Sequence, residues 1–93
     1  MKSRTTESFR KLYRGLPEAA RRDARQAYRQ WMRDPSYPSL QFKRVSPVAP
    51  IFSARVGLHW RVVGTLRDDV LVWWWIGSHA DYDRLVKRAR KGR

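Results

Sequence analysis

Cysteine is absent from the 93 residues, so neither a disulfide framework nor a cysteine-ligated metal is available. Histidine is scarce, present only at 59 and 79, and the eight acidic residues are scattered, so no metal and no cofactor is expected. Long hydrophobic runs are missing too. Val70 to Ile76, seven residues, falls far short of the roughly 20 that cross a bilayer. The start, MKSRTTESFRK, has no apolar signal-peptide core. A cytoplasmic protein with no membrane partner is expected. The length allows one core and one domain, 1–93, near the lower limit at which a single core suffices.

What the chain does have is positive charge. Twenty-one Lys and Arg against the eight acids give +13, and arginine outnumbers lysine heavily. Guanidinium forks match phosphate, and a field of this size attracts polyanions. The expected partner is nucleic acid, an acidic protein, or both; nothing points to a small-molecule substrate. Composition alone describes a binder, since charge speaks to association and not to fold.

Along the chain, Phe9, Leu12, Tyr13 and Leu16 fall at helical spacing behind Thr5, Thr6 and Glu7. They predict a short helix ending at Gly15. Pro17 suits a first helical turn, Glu18 suits a helix N-terminus, and Ala20, Ala24, Ala27, Tyr28 and Trp31 form the narrow apolar stripe of a second helix. A helical hairpin follows. Arg21, Arg22, Arg25 and Arg29 leave its other side positive, as either a solvated face or one that meets nucleic acid. Pro35 and Pro38 then force a loop.

Beyond that break the period changes to two. Leu40 to Val45 starts with alternation, placing Leu40 and Phe42 on one side and Gln41 and Lys43 on the other. Ser46 to Pro50 breaks the chain again. In Ile51 to Val56, Phe52, Ala54 and Val56 share a face, opposite Ile51, Ser53 and Arg55. Trp60 and Val62 continue the apolar face, opposite Arg61. Pairing Val56 with Trp60 across Gly57-Leu58-His59 keeps that face continuous and sets Arg55 opposite Arg61. Like charges directly across a strand pair are destabilising by at least a few tenths of a kcal/mol. Either an anion sits between them in the working state, or each pairs with one of Asp68, Asp69, Asp81 or Asp83.

Val70 to Ile76 reads as the central strand, apolar on both faces, with Trp73 and Trp75 on one side and Trp74 with Val72 and Ile76 on the other. One side meets the hairpin. The other is packed by the terminal helix or left to receive a partner segment or a base. Gly77 ends the run, and Ser78 can cap a short helix starting at about His79, with Asp81 at the reciprocal capping position. Tyr82 follows one turn along the same side. After Leu85 and Val86, Lys87 to Arg93 reads as a frayed basic tail. The architecture expected is α+β: two N-terminal helices packed on one face of a four-stranded, mainly antiparallel sheet, with a short C-terminal helix.

This order, with Phe42-Lys43-Arg44-Val45, Ser53-Ala54-Arg55-Val56-Gly57 and His59-Trp60-Arg61-Val62-Val63 ahead of Gly77-Ser78-His79-Ala80-Asp81-Tyr82, resembles the RelE/ParE superfamily of toxin–antitoxin toxins. The last segment is similar to the Gly-Thr-His-Ser-Asp-Leu-Phe of YafQ-type toxins, where the histidine is catalytic. The resemblance implies a type II toxin that cleaves mRNA in the ribosomal A site without a metal, in contact with rRNA and held in check by an acidic antitoxin. By match to the family pattern, Arg61 and Arg55 clamp the phosphate, Lys43 adds charge, His79 acts as acid or base, and Tyr82 stacks on a base or assists proton transfer. The chain departs from YafQ in lacking its further histidines and aspartate, so the proton partner of His79 is unassigned and a purely structural His79 remains open. Two rivals stay: a ParE-like gyrase poison, and a non-catalytic basic module that binds RNA or the ribosome.

Overall fold

The shift from helical to strand periodicity at Pro35 and Pro38 divides the computed structural model, which describes residues 1–91, into a helical hairpin and a sheet with a helix behind it. Strand β1 (Lys2–Thr5) leads into α1 (Glu7–Arg14) and α2 (Glu18–Arg33). A 3-10 turn (Pro38–Leu40) precedes β2 (Lys43–Arg44), β3 (Ile51–Val56), β4 (Trp60–Arg67), β5 (Val70–Ser78) and α3 (His79–Lys91). The five strands run in the order β1-β5-β4-β3-β2, antiparallel except for β1 beside β5. The hairpin covers one face and α3 the other.

Local chemistry explains most boundaries. Thr6 Oγ1 accepts the Phe9 N–H at 3.1 Å to start α1, and Gly15 closes it through the Leu12 and Tyr13 carbonyls. Glu18 opens α2, its carboxyl held below the ordinary carboxylate range by the hydrogen bond and charge of Arg21 and then by Arg25. Asp34 ends the helix and accepts from Ser36 at 2.6 Å, which lowers its pKa in the same sense.

One strand escaped the sequence reading. Lys2-Ser3-Arg4-Thr5 carries no apolar alternation, yet it pairs in register with Val70 to Trp73. Backbone pairing places it, with Ser3 Oγ also 2.7 Å from the Tyr28 hydroxyl on α2, and it moves β5 off the sheet's centre: β4 is the middle strand of five. The segment from Leu40 is also shorter as a strand than its pattern suggests, because Leu40 closes the 3-10 turn and Gln41 is left-handed at φ 46°. The facing still holds, with Leu40 and Phe42 in the core.

Two cores result. Trp31, Leu40, Ala54, Leu71 and Trp73 pack under the hairpin, with the Trp31 and Trp73 rings edge to face at 5.3 Å. Val45, Val63 and Tyr82 pack with Trp74, Trp75, Leu85 and Val86 under α3. Strict alternation had placed Trp73 and Trp75 together, and a bulge separates them. Val63 faces Trp75 while Gly64 faces Trp73, so Trp74 is the extra residue and parity reverses beyond it. Trp75 thereby turns to the α3 side, and Ile76, opposite Val62, to the hairpin side. Gly64 makes this possible: an added Cβ would lie 2.4 Å from Leu71 Cδ1 and 2.9 Å from the Val72 carbonyl oxygen. The indole run is thus core, closed by a helix of 13 residues rather than a short one. Lys87 to Lys91, read as frayed, continue that helix; Gly92 and Arg93 lie outside the described residues.

Candidate functional site

The face that carries α3 also gathers the cationic strand positions. Residues directly opposite on neighbouring strands share a face, and Lys43 lies across from Ser53, Arg55 from Arg61, and Arg61 from Gly77. The register expected for β3 and β4, Val56 with Trp60 and Arg55 with Arg61, is the one observed. His79 enters this face from the end of β5, its backbone N–H donating to the His59 carbonyl at 2.9 Å. That bond stitches the β3–β4 loop to the start of α3.

Arg61 does not meet solvent. It is 3% exposed, because α3 folds back over β4 and lays the Tyr82 ring against it, with the guanidinium carbon 4.7 Å from the ring centroid. Its two terminal nitrogens donate to Gln41 Oε1 at 3.0 Å and Ser53 Oγ at 3.2 Å. Its Nε is buried with no acceptor. Among the described residues no carboxylate forms an ion pair with Arg61 or Arg55; Asp81 binds Arg84, Asp83 lies by His79, and Asp68 and Asp69 form the left-handed β4–β5 turn. The reading that neutralises these arginines with local aspartates is therefore excluded. Arg55 is half-buried, its Nε donating to the Gly57 carbonyl at 3.0 Å. Lys43 is exposed.

Tyr82 is 6% exposed and shares a hydrogen bond of 3.0 Å with Ser53 Oγ. One face of its ring meets Arg61, and its centroid lies 6.1 Å from the His79 imidazole, edge to face. A ring so enclosed leaves no free face for a base to stack on; it packs against the Arg61 guanidinium and lies edge-on to His79. His79 itself is open, its side chain 56% exposed, with Nδ1 3.3 Å from Asp83 Oδ2. Ser78 Oγ caps the helix through the Asp81 N–H at 3.1 Å as expected, while the Asp81 carboxylate turns to Arg84 rather than closing the reciprocal half of the box.

Three residues of this arrangement went unread in the sequence. Asp83 was legible, since i,i+4 spacing from His79 puts the two on one helix face. Gln41 and Ser53 carried no local signal; only the tertiary register brings them to Arg61. Among the described residues no group of three His, Asp or Glu side chains gathers to hold a metal, and no helix is long and apolar enough to cross a membrane.

Residues 18–84, most of the chain, match the ParE-like toxin domain family. The chain belongs to that family. In the wider RelE/ParE superfamily, this toxin shares its fold with a chain of the RelB–RelE antitoxin–toxin complex from Methanococcus jannaschii, at 16% identity over 86% of this chain and 95% of that one, TM-score 0.67. It is similar also to a chain of the RelBE2 toxin–antitoxin complex from Mycobacterium tuberculosis, at 22% identity over 84% and 96%, TM-score 0.64. The isolated RelE toxin of E. coli aligns at 18% identity over 94% and 96%, TM-score 0.61. Among curated protein sequences no significant match is found. The α+β class expected from the sequence is the class of these folds, with the additional strand β1 as its amendment.

Proposed function

We propose that this toxin is a metal-independent, ribosome-dependent mRNA endonuclease. The observation that carries the reading is the exposed His79 imidazole, its Nδ1 held 3.3 Å from Asp83 beside a cationic sheet face whose Arg55 and Arg61 have no carboxylate partner among the described residues. Cutting RNA without a metal requires the 2′-hydroxyl to attack its own phosphorus while the bond to the 5′ oxygen breaks. One proton leaves the nucleophile and one reaches the leaving oxygen. With Nδ1 turned to Asp83, His79 presents Nε2 to the RNA and serves as the acid or base. Arg55 and Lys43 meet the phosphate, and the buried Arg61 contributes its charge from below, where low dielectric strengthens it. Tyr82 and Ser53 hold Arg61 in place.

The +13 charge supports two anionic partners in turn: mRNA and rRNA on the ribosome, and an acidic antitoxin that covers the same face. The RelB–RelE relatives, solved as antitoxin–toxin complexes, support the second. The ParE-like family match favours one other reading, a gyrase poison that needs no imidazole.

Primer extension on a translated message, run with wild type and His79→Ala beside a gyrase-cleavage assay, decides among them. Loss of about 100-fold or more in cleavage on removing the imidazole is expected, the usual worth of a positioned acid–base group. Undiminished cleavage by His79→Ala removes the imidazole from the mechanism. Gyrase poisoning without message cleavage moves the protein to the ParE reading, and neither activity leaves a non-catalytic binder.

A further inference from the structure

Round the open edge of the sheet lies a second concavity, of which the cleavage scheme uses only Arg55. A cavity of about 460 Å³, the size of an ordinary ligand pocket, is bounded by Asp23, Gln26 and Gln30 on α2, by Tyr37 and Ser39 before β2, and by Arg55. The spacing of Asp23, Gln26 and Gln30 puts all three on one side of the helix. β2 pairs only with Phe52 and Ser53, so beyond Ser53 the outer side of β3 has no strand partner among the described residues and the Arg55 side chain lines the cavity there. Gly57, at φ 60°, lets the β3–β4 turn close against α2; an added Cβ would lie 2.5 Å from Asp23 Oδ2.

The cavity holds one acid and one base that leave each other alone. Asp23 and Arg55 both line it, and among the described residues neither takes part in an ion pair. In a chain with 21 cationic side chains, an unused carboxylate in a cavity is a conspicuous acceptor. Tyr37 adds a ring that is 44% exposed.

We infer that this cavity is a base-reading pocket for guanine in single-stranded RNA, next to the cleaved nucleotide. Guanine alone among the four bases carries adjacent N1–H and N2–H donors on one edge and O6 with N7 acceptors on another. A carboxylate accepts from the first pair, and a guanidinium fork donates to the second. Tyr37 supplies the stacking surface and the Gln26 and Gln30 amides serve the remaining polar atoms. Arg55 belongs to both sites: its Cα faces Arg61, which faces Gly77, about 10 Å across two strand spacings. The pocket therefore reads a neighbour of the phosphate beside His79. That RNA is the substrate rests on the proposed function; the choice of guanine rests on the cavity.

The test uses the whole chain. Binding of guanosine, adenosine, cytidine and uridine 5′-monophosphates is followed at the Gln26 and Gln30 side-chain amides by NMR. Guanosine monophosphate is expected to bind roughly 10-fold or more tighter than the others, and Asp23→Asn and Tyr37→Ala, checked for folding by circular dichroism, to abolish the preference. Equal binding of all four, or a preference that survives Asp23→Asn and Tyr37→Ala, overturns the assignment. Cleavage maps of translated messages separate it from the nuclease reading. Cuts beside guanine that lose their bias in Asp23→Asn support the pocket. Cleavage without a guanine bias refutes the pocket and leaves the nuclease. Guanine-selective binding by a wild type that cleaves nothing does the reverse.

Discussion

Arg61→Met is the perturbation whose outcome the structure specifies most sharply. The guanidinium is 3% exposed, donates two hydrogen bonds, at 3.0 Å to Gln41 and 3.2 Å to Ser53, leaves Nε without an acceptor, and forms no ion pair with a carboxylate among the described residues. Methionine gives up two charge-assisted hydrogen bonds of about 1.5–3 kcal/mol each, and a cation–π contact of about 2 kcal/mol. It removes a desolvation penalty of several kcal/mol and an orphaned donor that costs about 1–3 kcal/mol. Nothing polar is stranded, because Ser53 keeps the Tyr82 hydroxyl and Gln41 is exposed to water. The two sides nearly cancel. Arg61→Met is expected to unfold within about 1.5 kcal/mol of wild type, or to be more stable, while Arg61→Ala adds a cavity and loses about 2–4 kcal/mol. Both should lose message cleavage. Urea denaturation of the three proteins measures this, and a loss above about 3 kcal/mol in Arg61→Met would show that the polar network, not relief of a buried charge, dominates.

Other outcomes follow from the same geometry. Asp83→Asn should lower cleavage by about 10-fold, less than loss of the imidazole itself, because Asp83 orients the His79 ring through Nδ1; undiminished cleavage would make Asp83 a bystander. Gly64→Ala should cost about 2 kcal/mol or more in thermal unfolding, since its Cβ would lie 2.4 Å from Leu71 Cδ1 and meet the Val72 backbone; wild-type stability would mean the bulge relaxes freely. Binding of an acidic antitoxin should weaken about tenfold or more between roughly 0.1 and 1 M salt. Calorimetry showing salt-independent affinity, unaffected by reversing Arg55, would refute the electrostatic cover.

By itself the sequence determined the pattern-bearing parts. The helical hairpin, the break at Pro35 and Pro38, the Val56–Trp60 pairing that opposes Arg55 to Arg61, and the Ser78 cap ahead of His79 were legible because each is local. A one-residue slip in β4 would have turned an arginine into the apolar face, so period two fixed the register. What lacked a local signature waited for the tertiary structure. Strand β1 has no apolar side to announce it and is held by pairing with β5. The Gly64 bulge reverses the Trp75 face because a strand's parity depends on its partner, not on its own residues. Whether Arg61 met solvent depended on where α3 came to rest. The helix's own apolar residues say only that it packs; the Tyr82 ring lying 4.7 Å from the guanidinium carbon, with Ser53 and Gln41 brought in from two other segments, is a juxtaposition of positions 20 or more apart in the chain for Gln41 and Tyr82. Contacts across such distances follow from the packing of whole elements, and the burial of a charge is decided there.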